Sequence, residues 1–186
     1  MARYGMAIDY KRCINCKACE AACKEENSVA LSKDSYRIWV GVKEEEGEFP
    51  NISIPSQTYY PGQCHHCDNA PCQSVCPTSA TYYDENRVVR VDSKKCILCS
   101  YCISACPYDA RYVNHKKLIV DKCDFCASRL AGGHTTTACQ ATCPTKVRIF
   151  GDLDDPDSEI SKVLRVREYR VVKPHLGTQP KLFYLL

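Results

Sequence analysis

Apolar and polar positions alternate in short runs separated by cysteine-rich loops, so the chain predicts many small elements and few long ones. Tyr4 to Asp9 reads as a short strand leading into the first cysteine loop, and a helical turn or two is expected from Ala18 to Glu26. Within residues 29–62 a strand is predicted at Tyr36-Arg37-Ile38-Trp39-Val40, followed by an acidic turn at Glu44-Glu45-Glu46. Two hairpins follow. In the first, Thr81-Tyr82-Tyr83 turns at Asp84-Glu85-Asn86 into the alternating Arg87-Val88-Val89-Arg90-Val91. In the second, Arg111-Tyr112-Val113 turns near Asn114-His115 into Leu118-Ile119-Val120. Beyond Pro144 a strand at Val147-Arg148-Ile149-Phe150 leads through the Asp-rich stretch 151–157 into a helix from about Glu159 to Val166, with Asp157 or Ser158 able to cap it. The tail from Val171 contains Pro174 and Pro180 and ends Leu182-Phe183-Tyr184-Leu185-Leu186. Such a tail either folds back on its own domain or docks on a partner.

Composition changes this picture. Of 186 residues 16 are cysteine, while Leu, Ile, Val and Phe together number only 38. A chain so thin in large aliphatics sits near the edge of folding on burial alone, so something bound through the cysteines is expected to complete the core. No stretch approaches the roughly 18 uncharged apolar residues of a membrane span, and the start, interrupted by Asp9, Lys11 and Arg12, has neither an export signal nor a twin-arginine pattern. Neither G-x-x-x-x-G-K-[ST] nor G-x-G-x-x-G occurs, so no phosphate-cradling loop is visible.

The cysteines fall into four groups of four. Group one is Cys13, Cys16, Cys19 and Cys23, spaced C-x2-C-x2-C-x3-C. Group two is Cys64, Cys67, Cys72 and Cys76, followed by Pro77; group three is Cys96, Cys99, Cys102 and Cys106, followed by Pro107. Group four, Cys123, Cys126, Cys139 and Cys143 before Pro144, stretches one interval to twelve residues. The C-x2-C-x2-C-x3-C-P run is the bacterial iron-sulfur signature, in which the fourth cysteine ligates the other cluster of a pair. Two residues between thiolates let three sulfurs reach three corners of a cubane, and the fourth ligand must come from elsewhere. Sixteen ligands at four per cluster make four [4Fe-4S] clusters. A disulfide framework and four-thiolate zinc sites are the competing structural readings. Repeated close C-x-x-C pairs suit the first poorly, and the third cysteine of a C-x2-C-x2-C run has no use in the second. No C-x3-C-x2-C triplet of a radical S-adenosylmethionine enzyme occurs. Spacing alone leaves open whether groups pair in sequence or nest.

The formal charge of +3 counts every cysteine as neutral. With sixteen thiolates and four oxidised cores the loaded chain comes to about −5, which removes the case for nucleic acid as a partner. Lys11-Arg12, Lys94-Lys95 and Lys122 directly precede cysteine groups, where a cation would raise a cluster's potential or simply be solvated. His65 and His66 lie between Cys64 and Cys67, where they could donate to sulfide, couple proton to electron transfer, or be structural or solvent-facing. A cluster with four thiolates exchanges electrons but has no open site for substrate. For 186 residues a body about 40 Å across is expected, and four centres in a row would divide that distance. The chain has no room for a flavin, molybdopterin or haem domain, so electron source and sink must be other proteins.

These residues resemble a known family. The start Tyr4-Gly5-Met6-Ala7-Ile8-Asp9, Ala21-Ala22-Cys23-Lys24, Cys67-Asp68-Asn69-Ala70-Pro71-Cys72, Cys106-Pro107-Tyr108-Asp109-Ala110-Arg111-Tyr112, Asp121-Lys122-Cys123, Gly151-Asp152-Leu153-Asp154-Asp155-Pro156 and Gly177-Thr178-Gln179-Pro180-Lys181-Leu182-Phe183-Tyr184 are similar to the iron-sulfur subunit of complex iron-sulfur molybdoenzymes, the dimethyl sulfoxide reductase family. The likeness is greatest to the polysulfide and thiosulfate reductase type, with arsenate and dimethyl sulfoxide reductases further off. The resemblance implies an α+β fold of two ferredoxin-like two-cluster modules with a strand-containing insertion and an extended C-terminal tail. Residues 1–28 plus 108–150 would form one module, 63–107 the other, 29–62 the insertion and 151–186 the C-terminal helix and tail. It also implies nesting: Cys13, Cys16, Cys19 with Cys143; Cys123, Cys126, Cys139 with Cys23; Cys64, Cys67, Cys72 with Cys106; and Cys96, Cys99, Cys102 with Cys76. The partners it implies are a molybdopterin catalytic subunit on the group-one side and a multi-span, quinol-handling membrane subunit on the group-three side. Relatives of nitrate reductase type replace one group-three cysteine with tryptophan and hold three irons; here group three is intact and four irons are expected. Thr135-Thr136-Thr137 depart from relatives that often carry proline two residues before the equivalent of Cys139, a matter of local loop shape. The expected location is peripheral on the cytoplasmic membrane, on the outer face through partner-dependent export, with the cytoplasmic face the alternative. A soluble polyferredoxin, or an electron-transfer subunit of a hydrogenase, formate dehydrogenase or arsenate reductase, is the other functional reading, and a structural zinc module the third.

Overall fold

A computed structural model describes residues 1–47 and 54–186, with the side chains of 45–47 and 54–56 left out of the description. The elements run β1 (Tyr4–Ile8), α1 (Ala18–Glu26), β2 (Ile38–Gly47), β3 (Ile54–Gln63), α2 (Pro71–Ser74), β4 (Thr81–Tyr83), β5 (Val89–Val91), α3 (Tyr101–Ser104), β6 (Tyr112–Asn114) and β7 (Ile119–Asp121). They continue with α4 (Ala127–Ala131), α5 (Ala138–Ala141), β8 (Arg148–Asp152), α6 (Glu159–Val166), β9 (Tyr169–Arg170) and β10 (Leu182–Leu185). This is a mixed α+β fold.

One four-stranded sheet, ordered β8-β1-β10-β9, gathers the two ends of the chain. β1 lies antiparallel to β8 and parallel to β10, with Met6 opposite both Phe150 and Leu182. Met6, Ile8, Leu182 and Leu185 are fully buried, so the apolar tail folds back as an inner strand of its own domain. Apolar area removed from water, about 25 cal/mol per Å2, is what draws it in. The amphipathic α6 covers the sheet with Ile160 against Ala7 and Leu185. Ser158 is the cap, its hydroxyl accepting from the Ser161 N–H (3.3 Å).

The remaining strands form three antiparallel hairpins. The expected acidic turn at 44–46 is overturned, because Glu44 pairs with Gln57 and Glu46 with Pro55 in a β2–β3 ribbon whose strands run ten residues each. Ladder pairing with β3 decides the backbone there and overrides the low strand propensity of glutamate. Both later hairpins shift at their turns. Arg87 and Leu118 have φ of +58° and +51°, conformations that end a strand. β5 therefore starts at Val89, while β6 gains Asn114 and loses Arg111.

The ribbon's base packs closely on the core. Gly62 faces Trp39 across the ladder, and a Cβ at Gly62 would meet the indole at 2.4 Å. Trp39 stands edge-on to Tyr36, which stacks on Tyr112 of β6. Among the described residues no helix is long and apolar enough to cross a membrane.

Candidate iron-sulfur sites

All sixteen cysteines are free thiols. The third cysteine of each group sits on a helix: Cys19 on α1, Cys72 on α2, Cys102 on α3 and Cys139 on α5. The fourth follows four residues on, inside α1 for Cys23 and two residues past the helix end for Cys76, Cys106 and Cys143. Each helix with the turn after it thereby serves two neighbouring positions. Groups one and three enter their helices through left-handed residues, Lys17 (φ +59°) and Ser100 (φ +62°). The longer intervals of groups two and four permit extended entry at Ala70 and Thr137.

The cysteines converge as four quartets. Cys13, Cys16, Cys19 and Cys143 line one small pocket, closed by Val40 and Pro61 from the β2–β3 ribbon. Cys76, Cys96, Cys99 and Cys102 line another. Cys23, Cys123, Cys126 and Cys139 lie within electrostatic reach of one another, as do Cys64, Cys67, Cys72 and Cys106. Cys19 also feels Cys139, and Cys102 feels Cys72, so the quartets adjoin in two pairs. Between the pairs the His66 ring stacks on Phe125 at 3.9 Å. The resulting order is the group-one quartet, the group-four quartet, the group-two quartet and the group-three quartet.

Two features of this chain fit a multi-iron core. First, the residue two after each group's first cysteine is left-handed: Asn15, His66, Leu98 and Phe125, with φ between +45° and +57°. With Lys17, Ser100 and Cys126 that makes seven non-glycine residues at roughly 1 kcal/mol or more each. Left-handed residues of this kind build the anion-binding nests of phosphate and iron-sulfur sites, and the Phe125 N–H already donates to Cys123 Sγ (3.5 Å). Second, burial raises the thiols of Cys19, Cys23, Cys102, Cys123 and Cys126, and that of Cys67 to about 12, where a bound metal would take the place of the proton. Cys76 and Cys143 run the other way. Burial would raise them too, but donors outweigh it: Thr81 N–H (3.4 Å) and the Thr78 hydroxyl on Cys76, Val147 N–H (3.3 Å) and the Thr145 hydroxyl on Cys143.

The tail completes the group-two loop. Asp68 and Asn69 N–H donate to the Gln179 and Thr178 carbonyls, and Lys181 N–H donates to the His65 carbonyl (2.8 Å). Thr178 shares a 2.5 Å hydrogen bond with Tyr108 and also reaches Cys67. Lys181, 1% exposed, pairs with Asp68 at 3.2 Å. Both histidines are buried rather than solvent-facing, with burial holding His65 neutral down to about 3 and His66 well below its usual range. His65 stacks on Tyr108 at 3.8 Å. Lys11, Arg12, Lys94 and Lys95 are exposed. Lys122 is buried, its ammonium on the carbonyls of Val89 and Cys123.

The 4Fe-4S dicluster domain matches residues 55–153, and a second 4Fe-4S dicluster domain matches residues 12–80. A polysulfide reductase polypeptide of Wolinella succinogenes is 44% identical over 97% of this chain and 93% of its own length. The chain belongs to the family of 4Fe-4S dicluster iron-sulfur subunits. Family relatives include a tetrathionate reductase subunit of Salmonella typhimurium, 41% identical over 98% of this chain and 72% of the relative. The thiosulfate reductase electron transfer subunit of Salmonella typhi is 42% identical over 94% and 88%. The match at 12–80 spans groups one and two, whose triplets lie in different quartet pairs.

Sequence reasoning passed over four polar residues beside the quartets: the half-buried Arg37 and the buried Gln63, Arg111 and Arg148. A signal was present for two of them, since Arg111 and Arg148 each stand five residues after a group's fourth cysteine. Arg37 pairs with Asp121 and Asp124 at 3.0 Å each and donates to Asn27 Oδ1 (2.9 Å). It ties the start of the ribbon to the group-four loop.

Proposed function

We propose that this chain is the electron conductor of a respiratory reductase of the polysulfide or thiosulfate reductase type. It would pass electrons through four [4Fe-4S] clusters between a quinol-handling, multi-span membrane subunit and a molybdopterin catalytic subunit, and would not be catalytic alone. The names of the relatives support the reductase type.

The observation that carries the reading is how exposure is distributed along the row of quartets. Of the sixteen thiols only Cys16 and Cys99 are exposed, one in each outer quartet, whereas all four of the group-four quartet and three of the group-two quartet are buried. Exposed apolar residues flank both outlets: Ile14 (59%) beside Cys16, and Ile97 (64%) and Tyr101 (62%) beside Cys99. A row open at both ends and sealed between is what conduction between two docked partners requires. Each cluster, when bound, takes up and releases one electron with every iron capped by thiolate. Cys13, Cys16, Cys19 and Cys143 would hold the first; Cys23, Cys123, Cys126 and Cys139 the second; Cys64, Cys67, Cys72 and Cys106 the third; Cys76, Cys96, Cys99 and Cys102 the fourth. Nearly closed packing around the inner quartets excludes water, and the Thr81, Phe125 and Val147 N–H groups stabilise thiolate charge.

Residues 1–28 with 108–150 would make one two-cluster module and 63–107 the other, the insertion 29–62 and the segment 151–186 closing over them. The location is peripheral, on the outer face of the cytoplasmic membrane. Anaerobic isolation tests the reading. About sixteen irons per chain, a reduced EPR signal, and co-purification of a molybdopterin protein and a multi-span protein in fixed ratio are expected. Far less iron, or EPR silence after dithionite, refutes the clusters. Full iron with the chain recovered alone refutes the complex and favours a soluble polyferredoxin.

A further inference from the structure

Arg111 and Arg148 occupy equivalent places, each five residues after the fourth cysteine of its group and each at the junction of two quartets. They are 3% and 2% exposed. Arg111 donates from Nη2 to Cys72 Sγ (3.1 Å) and from Nη1 to Thr81 Oγ1 (3.4 Å), with Cys64 of the group-two quartet and Cys102 of the group-three quartet within electrostatic reach. Arg148 donates from Nη1 to Gln63 Oε1 (2.6 Å), with Cys19 of the group-one quartet and Cys139 and Cys123 of the group-four quartet within electrostatic reach, while its Nη2 has no partner among the described residues.

Among the described residues neither guanidinium pairs with a carboxylate, in contrast to the other arginines that enter the interior. Arg37 has Asp121 and Asp124, and Arg167 has Asp9. Burying a guanidinium without a counter-charge costs several kcal/mol, and it cannot escape by losing its proton. Among the described residues the cysteine sulfurs of the two flanking quartets are the acidic groups that act most strongly on each guanidinium. Of the other buried cations, Lys122 spends its donors on carbonyls and Lys181 pairs with Asp68.

We infer that Arg111 and Arg148 are the built-in counter-cations of the two quartet pairs, positioning residues that raise the reduction potentials of the clusters on either side of them. The inference rests on the cluster reading above. When one electron passes from a reduced cluster to its oxidised neighbour, the acceptor gains one negative charge beside the arginine and the donor loses one; the guanidinium neither gains nor loses a proton. Because each arginine lies between two clusters, it favours the electron on both, which keeps potentials within a pair close and the transfer between them near balance. One arginine per pair, supplied by the group that follows, gives the two halves the same device.

The test is an EPR-monitored redox titration of the full chain in its complex, wild type against Arg148→Gln, Arg148→Lys, Arg111→Gln and Arg111→Lys. Each Gln variant should lower two of the four midpoint potentials, and the pair lowered by Arg148→Gln should not overlap the pair lowered by Arg111→Gln. Each Lys variant should restore most of the shift. With iron complete, unmoved potentials, the same signals moving in both variants, or Lys shifting as far as Gln would each overturn the inference and leave the cluster reading standing. Iron far below sixteen in the wild type removes both. Should a Gln variant fail to load iron, wild-type protein carrying 15N-arginine decides: pulsed EPR of the reduced clusters should show guanidinium nitrogen coupling, and its absence overturns the inference.

Discussion

Replacing Arg37 by Met should cost this protein far more than an ordinary surface charge change. The guanidinium is 10% exposed and holds Asp121 (7%) and Asp124 (21%) at 3.0 Å each. Removing it strands two carboxylates beside Cys123, a loss of about 3–5 kcal/mol for a broken buried pair. Asp121 keeps the Tyr112 hydroxyl (3.0 Å), the Asn114 amide (3.2 Å) and the Lys122 N–H (2.8 Å), which places the loss toward the lower end. At about 2–4 °C per kcal/mol for a chain of this size, the apparent midpoint should fall by about 6 to 20 °C. Anaerobic thermal unfolding at a fixed scan rate, followed by visible absorbance and far-UV circular dichroism together, measures it. The Arg37→Met/Asp121→Asn double variant removes one stranded charge and should recover at least half of the loss. Burial alone would raise Asp121, but Arg37, Asn114, the Lys122 N–H and Tyr112 outweigh it and hold it below the ordinary carboxylate value. A depressed acid contributes fully above its unfolded pKa and loses that contribution as pH falls through the folded one. The Arg37 effect should therefore be flat from about pH 6 to pH 9. A loss under about 1 kcal/mol, or a double variant no better than the single one, refutes the reasoning.

Two further variants probe the insertion and the tail. Gly62→Ala drives a methyl to 2.4 Å from the Trp39 indole and should cost about 1–3 kcal/mol in the same melt, with circular dichroism showing the ribbon displaced; an unchanged midpoint would mean that Trp39 does not lock the ribbon base. Thr178→Val removes the hydroxyl shared with Tyr108 and should cost about 1 kcal/mol while shifting one midpoint potential in EPR titration; shifts in several potentials would contradict a local contact with Cys67.

Much of the local structure was legible in the chain itself. β1, α1 and α6 stand where periodicity and capping residues put them, because each is decided within a turn or two. The hairpins were legible too, though Leu118 and Arg87 fell on the wrong side of their turns, since a left-handed backbone at an apolar or basic residue leaves no compositional trace. The acidic run misled for a related reason: Glu44 sits in a strand because Gln57 lies opposite, and that partner is distant in sequence. Arg111 and Arg148 look like ordinary strand-edge cations until both sides of each are known.

The chemistry was readable from the chain, because each group opens on a Cys-x2-Cys step, which brings two thiolates together by local geometry alone. Folding decided the rest: which distant thiol lies beside each triplet, Cys143 by Cys13 and Cys23 by Cys123, and that the tail becomes an inner strand rather than a free arm. Those outcomes depend on which apolar faces exclude water together and on which buried charges face each other. Neither quantity has a period along the chain.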